Sequence, residues 1–403
     1  MRGDQTRNSR PRVLLITFGP FGQSQGGLTV RAHHVYSDLR ACGAEVMVLS
    51  LGEDRASSWP RRKAEWRPGA VIGLVSSGRI RWAVSLAYLV RKLSRNVDLI
   101  VVESALLLIP LLAVTHCPII WDANGCQTIH YRSRERRSPT LLGRLHMRIA
   151  GTVWHEIERW AGRRSIALVA ESQAEAWRWH ELFPRLGPKI HVVELVPEIG
   201  DGHDPLRDGL VAATPRPGAA LLAVPPRYVA FVGSNSKHNV DAARWCIHTL
   251  APQLPSTVTI VLAGLGTDSL VAAAGSPRGV IGLGYVDDVD YVLRNAEVCL
   301  APIATGEGPE TKVLHYVALG CRVAATPLAL EGIEGAPGCH LAELHELTEL
   351  VVGMLAEGEP VRDREVRQAA QKEWLEKYAA PHRIQEQWMA VLSRVSGESL
   401  VRQ

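Results

Sequence analysis

The sequence predicts an α/β protein with two domains, each built on a parallel β-sheet. Short apolar runs alternate with helix-length amphipathic stretches almost from end to end of the 403 residues, which is typical of parallel sheets. This alternation is interrupted once, between about residues 196 and 227, by a stretch rich in Pro and Gly. A chain of this length also exceeds one ordinary hydrophobic core, so we expect two domains.

The first series of apolar runs belongs to the expected N-terminal domain, residues 13–196. Residues 1–12 are polar, and we expect them to be disordered. The apolar stretch 99–121 is interrupted by Glu103, Pro110 and His116, which favours a strand and a helix over a membrane span. Strands are predicted at residues 13–17, 46–51, 71–75, 99–102, 118–121, 166–170 and 191–195, with helices at 29–42 and 152–164.

The second series follows the linker, 197–227, and forms the expected C-terminal domain, residues 228–379. A C-terminal helix from about 380 to 403 is expected to return to the first domain. Two Rossmann-like parallel-sheet domains are expected to face a central cleft, with ligands at the carboxyl ends of the strands. Strands are predicted at 228–233, 258–264, 279–283, 297–302 and just after Gly320, and helices at 239–251, 289–295, 311–319, 343–357 and 362–395.

Charge and cysteine content limit the classes of function. A formal net charge of +4 is mild for 403 residues and does not indicate nucleic-acid binding. The seven cysteines are odd in number, scattered and without a CxxC motif, so we expect reduced thiols and a cytoplasmic protein. His33 with His34, and His238 near Asp241, lack the clustering that a stable metal site needs, so we predict no metal.

Residues 301–333 carry the strongest chemical signal in the chain. A loop rich in Gly, Pro and Glu, residues 306–310, precedes the predicted helix 311–319. A glycine-containing loop before a helix N-terminus is a ready anion site, so we predict a bound phosphate or diphosphate. Lys312 lies in the first turn, where a cation is unfavourable to the helix dipole unless an anion is nearby. Ser234 and Lys237, after the strand 228–233, are predicted to reach the same diphosphate.

Four segments of the second half resemble the retaining glycosyltransferases of the GT-B fold, family 4 (glycosyl transferases group 1). They are FVGSNSKHNVDAARW at 231–245, TIVLAG at 259–264, GVIGLGYVDDVDYVLRNAEVCLAPI at 279–303 and GEGPETKVLHYVALGCRVAATPLALEGI at 306–333. The first half resembles the family more loosely. The resemblance implies a retaining glycosyltransferase of hexosyltransferase type that moves a sugar from a nucleoside diphosphate sugar, with UDP favoured, to an acceptor hydroxyl. It also implies metal independence and no cofactor besides the donor substrate.

The resemblance also assigns residues to the donor. Glu307 matches the first position of the family's Glu-x7-Glu pattern and is implied to hold the donor sugar as a catalytic residue. His315 stands where the second glutamate is usual, which puts the ribose contact in doubt, although histidine can also bond a hydroxyl. Glu331 resembles a residue near the nucleotide, and helix capping is its alternative. The expected donor and diphosphate set is Gly27, Ser234, Lys237, Gly308, Pro309, Glu310, Thr311, Lys312, His315 and Glu331.

The N-terminal domain is expected to shape the acceptor side. Asn124 takes the place of a histidine common in the family, and His130 is the nearest histidine, so both are candidate catalytic contacts. A turn-forming role remains the alternative for each residue of this loop. Further acceptor-side candidates are Gly26, Asp122 and Arg31.

Residues 132–164 combine clustered arginines with apolar residues at helical spacing. Such a helix could touch anionic lipid, giving a weak membrane-surface contact. We favour an ordinary domain helix with a solvated basic face, because Glu156 and Glu158 interrupt the basic residues.

The acceptor itself stays open at this level, between a small natural product and a cell-envelope glycan. Two other functions also remain: a sugar-nucleotide epimerase of the GT-B fold, and a non-catalytic protein that binds a sugar nucleotide or scaffolds a partner. The His315 substitution supports the second of these alternatives.

Overall fold

The computed structural model describes residues 10–18, 27–51, 71–73, 79–112, 114–197, 224–305 and 310–401. The chain divides into two compact units, which are residues 1–194 with 381–403, and residues 195–380. Each unit is a parallel sheet flanked by helices, which confirms the predicted α/β class with two parallel sheets.

The first unit contains a seven-stranded sheet in the order β3-β2-β1-β4-β5-β6-β7. The central strands β4, β5 and β6 are buried along their whole length, which explains why they are continuous apolar runs in the sequence. The elements are β1 Arg12–Phe18, α1 Gly27–Ala41, β2 Glu45–Leu51, β3 Val71–Gly73, α2 Arg79–Leu93, β4 Leu99–Val102, α3 Ala105–Leu112, β5 Ile119–Asp122, α4 Gln127–Arg137, α5 Leu141–Arg164, β6 Ala167–Ala170, α6 Gln173–Leu182 and β7 Ile190–Val192.

The second unit contains a six-stranded sheet in the order β10-β9-β8-β11-β12-β13. Its core includes the central strands and helix α10, whose Val313, Leu314 and Val317 are fully buried. The elements are β8 Tyr228–Val232, α7 Lys237–Trp245, β9 Thr259–Ala263, α8 Thr267–Ala273, β10 Val280–Gly284, α9 Val289–Arg294, β11 Val298–Ala301, α10 Thr311–Ala318, β12 Val323–Ala325, β13 Cys339–Leu341, α11 Leu347–Glu357 and α12 Val361–Tyr378.

The tail, which is helical in period over 362–395, forms two helices, and the second of them lies where the C-terminal helix of about 380–403 was predicted. Helix α12 ends at Tyr378, and a second helix, α13, runs over Pro381–Val401. Proline cannot continue a preceding helix but is well suited to begin one, so Pro381 separates the two. Helix α13 packs on α1 and β7 of the first unit and buries Ile384, Trp388 and Val391.

Other elements also differ from the sequence prediction. Strand β7 is shorter than the predicted 191–195, and helices α2, α6 and α8 and strand β13 were not predicted. Helix α5 begins at Leu141, where the hydroxyl of Thr140 accepts a hydrogen bond from the N–H of Gly143 at 3.1 Å.

All seven cysteines are free thiols. Within the described residues, no helix is both long and apolar enough to cross a membrane.

Candidate functional site

The topology of the second unit locates one crevice at the carboxyl ends of its strands. The chain moves in opposite directions from β8 and from β11, and these two strands are neighbours in the sheet. Such a switch point leaves a crevice outside the carboxyl ends of the two strands, where ligands of open α/β sheets bind. The candidate site is therefore formed by the segment after β8 and by the described residues between β11 and α10, which are 302–305 and 310.

Backbone segments approach closely at this edge of the sheet. A Cβ atom on Gly233 would lie 2.7 Å from the ring of Phe231, and one on Gly264 would lie 2.1 Å from the carbonyl oxygen of Gly233. Gly264 also has a φ of +116°, which L side chains rarely adopt. The loops after β8 and β9 are thus packed backbone against backbone, which fixes the position of the segment that follows β8.

Lys312 is the central charged group of the site. Its ammonium bonds the side-chain oxygen of Asn239, lies 3.2 Å from Glu310 Oε2 and stands 5.2 Å from the centre of the Phe231 ring. The side chain is 10% exposed, so few solvent molecules screen its charge. Glu310 immediately precedes α10 and offsets the unfavourable interaction of Lys312 with the positive end of the helix dipole.

A polar network links Lys312 to the loop after β8. The amide nitrogen of Asn239 donates to Ser234 Oγ at 3.1 Å, while its oxygen accepts from Lys312. His238 Nε2 lies 3.9 Å from Glu310 Oε1 and 3.2 Å from Ser236 Oγ. Burial lowers the pKa of His238 more than the nearby Glu310 raises it, which favours the neutral ring. The Lys312 ammonium is therefore held by Asn239 of α7 and by Glu310, which precedes α10.

Lys237 is exposed, whereas Lys312 is largely buried, although the sequence predicts that both lysines contact the diphosphate. Lys237 is the first residue of α7, and its ammonium bonds Asp241 Oδ2 at 2.6 Å, one helical turn away. Its side chain is 67% exposed, so this pair is held weakly. The contact of Lys237 with a diphosphate stays a prediction.

His315 lies on α10 and bonds a carboxylate from another element. Its Nε2 is 2.8 Å from Oδ1 of Asp290, a residue of α9, and both side chains are largely buried. The family pattern has a glutamate at position 315. Here the carboxylate beside this position belongs to Asp290. Sequence reasoning missed Asp290, because 25 residues separate it from His315.

The structure describes only some of the remaining candidate residues for donor binding. Thr311 begins α10, and Glu331 follows the short helix Pro327–Leu330 and is partly buried. Gly27 is the first residue of α1 in the other unit. Gly26, Glu307, Gly308 and Pro309 lie outside the described residues.

In the first unit, Arg31 and Asp122 form a buried ion pair. The guanidinium Nη2 is 2.8 Å from Asp122 Oδ1 and Nε is 3.2 Å from Oδ2, so the contact is bidentate. Arg31 Nη1 also donates to the carbonyl oxygen of Val193 at 3.3 Å. The pair joins α1, β5 and the segment after β7. A role for either residue in holding an acceptor stays a prediction.

Two glutamates beside this pair were missed by sequence reasoning. Glu171 Oε1 lies 3.7 Å from Arg31 Nε, and the N–H of Glu171 donates to Glu175 Oε2 at 2.8 Å. Glu175 Oε1 also accepts from the N–H of Gly125 and from the indole of Trp179, each at 3.1 Å. Burial raises the pKa of both carboxyls, and the three donors to Glu175 favour keeping the proton on Glu171.

This cluster predicts a pH-dependent stability. A carboxyl whose pKa is raised by folding binds more protons when folded, so its contribution is complete below the unfolded pKa and is lost as pH rises through the folded one. We expect the unfolding free energy to fall between about pH 5 and about pH 8. In Glu171→Gln, this fall should be smaller by at least about 1 kcal/mol. Urea unfolding across this pH range measures it, and an unchanged slope would contradict the assignment.

Asn124 and His130 follow β5, at the carboxyl edge of the sheet of the first unit. Asn124 Oδ1 is buried and has no hydrogen-bond partner among the described residues, and a ligand contact of this residue stays a prediction. His130 lies in the first turns of α4, partly buried, with its ring 5.6 Å from the ring of Tyr131.

In the part of the chain that the structure describes, no three His, Cys, Asp or Glu side chains form a group that could hold a metal.

Comparison with known proteins matches the second unit to one family model. The model described as glycosyl transferases group 1 matches residues 226–357, which contain the Lys312 network and the His315–Asp290 pair. No curated protein sequence is significantly similar to the chain.

Solved glycosyltransferase structures share the fold over almost the whole chain. A glycosyltransferase from Rickettsia africae is 13% identical with a TM-score of 0.63, covering 96% of this chain and 98% of its own. HepE from Anabaena, crystallised with UDP and glucose, is 15% identical with a TM-score of 0.63, covering 95% and 100%. WaaG, a glycosyltransferase involved in lipopolysaccharide biosynthesis, is 15% identical with a TM-score of 0.61, covering 93% and 98%. The two-domain α/β fold is thus that of GT-B glycosyltransferase structures.

Proposed function

We propose that this protein is a retaining glycosyltransferase of family 4 that transfers a sugar from a nucleoside diphosphate sugar to an acceptor hydroxyl. The observation that carries the proposal is the Lys312 network at the β8–β11 switch point, within the segment that matches the family model. UDP is the favoured nucleotide, because HepE, which shares the fold, was crystallised with UDP-glucose.

Lys312 acts on the charge of the departing diphosphate. When the bond between the anomeric carbon and the diphosphate breaks, negative charge grows on the phosphate oxygens. An ammonium already held by Asn239 and Glu310 can stabilise that charge without a large rearrangement. The free N–H groups at the start of α10, beginning with Thr311, add a favourable dipole.

The other donor contacts follow from the family resemblance. Glu307 accepts hydrogen bonds from donor-sugar hydroxyls, and Gly308 with Pro309 lets the backbone approach the diphosphate. His315 bonds a ribose hydroxyl, with Asp290 orienting its ring through the 2.8 Å contact. Ser234, Lys237 and Glu331 complete the nucleotide side.

The family resemblance assigns the acceptor contacts to the first unit. Gly26 and Gly27 allow backbone approach to the donor phosphate. Asn124, with its buried Oδ1 lacking a partner in the described residues, is the best-placed acceptor contact, and His130 is the second. The acceptor is a small natural product or a cell-envelope glycan, and the enzyme works in the cytoplasm without a metal ion.

Nucleotide release from a panel of sugar donors tests this proposal. The purified protein is incubated with UDP-, GDP- and dTDP-sugars, with and without an acceptor extract, and free nucleoside diphosphate is measured. We expect one donor to bind, and its nucleotide to be released faster when the extract is present. Conversion of the donor without acceptor would indicate an epimerase instead. Binding of no donor would refute the catalytic proposal.

A further inference from the structure

Helices α4 and α5 form an antiparallel hairpin that extends beyond the carboxyl edge of the first sheet. Glu158 of α5 contacts the start of α4, which follows directly after β5. A Cβ on Gly151 would lie 3.4 Å from Tyr131 Cβ, and Arg148 Nε bonds Glu135 at 2.7 Å. The residues of α5 before Glu158 thus run alongside α4, away from the sheet, for about 25 Å at 1.5 Å per residue.

The outer face of this hairpin is apolar and exposed. Leu141, Leu145, Ile149 and Val153 recur at intervals of four residues, and Leu142 lies beside them. Leu141 and Leu142 are 82% and 81% exposed, and Leu145, Ile149 and Val153 are 54%, 57% and 52% exposed. Helical geometry places Leu142, Ile149 and Val153 on the side away from α4, with Leu141 and Leu145 at its margin. The five exposed side chains are here called the α5 stripe. Single exposed aliphatic residues are ordinary, but a contiguous stripe marks an interaction surface.

The charge around the α5 stripe is strongly positive. Residues 132–164 contain nine arginines and three glutamates, so their formal charge of +6 exceeds the +4 of the whole chain. Exposed arginines at positions 144, 148, 159, 163 and 164 lie on the same helix as the stripe. This arrangement of an apolar band among arginines matches the chemistry of an anionic lipid surface.

The structure removes one of the two glutamates that favoured a solvated helix. Glu158 does not lie on the exposed face: it is 1% exposed and accepts hydrogen bonds from Gln127 N at 2.6 Å and from Thr128 Oγ1 at 2.5 Å. Its carboxylate therefore serves the N-terminus of α4. Glu156 is exposed but is paired with Arg159, and Glu135 is paired with Arg148.

We propose that the α5 stripe and its surrounding arginines dock the protein onto an anionic membrane surface, with α5 lying in the plane of the headgroups. The aliphatic side chains enter the boundary between headgroups and acyl chains, and the arginines bind the lipid phosphates. Because docking needs neither donor nor acceptor, it stands independently of the proposed reaction. The hairpin extends from the same sheet edge as Asn124, so docking would bring that edge near a membrane-borne molecule.

Vesicle flotation with the purified full chain tests docking. Vesicles of phosphatidylcholine alone are compared with vesicles of phosphatidylcholine and phosphatidylglycerol in equal parts. We expect binding to the anionic vesicles only, and release as salt is raised. The triple variant Leu142→Gln/Leu145→Gln/Ile149→Gln should bind at least about tenfold more weakly. The matched control is Val361→Gln/Val366→Gln on α12, where both residues are also exposed, and it should bind like the wild type.

The remaining outcomes decide against the proposal. Equal binding to both vesicle types, no binding, or full binding by the triple variant would overturn it. Analytical ultracentrifugation covers the other occupant of such a face: a wild-type dimer that becomes monomeric in the triple variant, without vesicle binding, would assign the stripe to a second copy. If the triple variant aggregates, Arg159→Gln/Arg163→Gln, at two exposed positions, should still weaken binding to anionic vesicles.

Discussion

Replacing Lys312 by glutamine is expected to reduce turnover of the nucleotide sugar by roughly a hundred- to a thousand-fold. The ammonium is the one cation that the described part of the second unit holds at the β8–β11 crevice with fixed partners, Asn239 and Glu310. Glutamine keeps the length of the side chain approximately but removes the charge that meets the leaving diphosphate. Initial rates of nucleotide release, with calorimetry of UDP binding, measure the effect.

Two further lysine variants serve as comparisons. Lys377→Gln removes an exposed lysine of α12 that bonds Glu373, and it should leave the rate unchanged. Lys237→Gln should reduce the rate much less than Lys312→Gln, because Lys237 is exposed and not held in the network. A Lys312→Gln protein that folds normally and turns over at the wild-type rate would remove Lys312 from the reaction.

Replacing Arg31 by methionine is expected to destabilise the first unit by about 3–5 kcal/mol. Asp122 is fully buried and takes both of its oxygen contacts from the Arg31 guanidinium, so the substitution leaves a buried carboxylate without its counter-ion. Urea unfolding followed by circular dichroism measures the loss, with the free energy of unfolding taken by linear extrapolation.

An exposed ion pair in the same unit gives the matched control. Arg12 lies 3.7 Å from Glu45, and half of its side chain is exposed, so Arg12→Met should cost at most about 1 kcal/mol. Arg31→Met/Asp122→Leu removes both charges and should recover part of the lost stability. If Arg31→Met were no more damaging than Arg12→Met, the buried pair would not be what joins α1 to β5.

Much of the fold was predictable because burial in a parallel sheet leaves a direct trace in the sequence. Strands such as Leu99–Val102 and Ile119–Asp122 are covered on both faces, so every residue in them is apolar or paired. Helix α10 was predictable for a related reason: an apolar face and a following Gly320, whose φ of +73° ends the helix. Short elements such as β13 leave too few residues for any period to be recognised.

The candidate site was predictable only in part, because its contacts cross long stretches of chain. The motif around residue 310 pointed to Lys312, but its partner Asn239 is 73 residues away. Asp290 beside His315, and Glu171 beside Arg31, are also separated in sequence and carry no local pattern. Glu158 was placed on the wrong side of its helix, because its spacing does not reveal that the start of α4 covers it.

The sequence by itself determined the alternation of strands and helices and the two parallel sheets, and it predicted an anion-binding segment before α10. These features follow from local period, from glycine and proline positions, and from the burial of whole strands. Only the tertiary structure decided that Lys312 is held by Asn239 and Glu310 while Lys237 is exposed, and that the α5 stripe is uncovered. Whether a side chain is paired, buried or exposed depends on which distant element packs against it, and no local pattern records that choice.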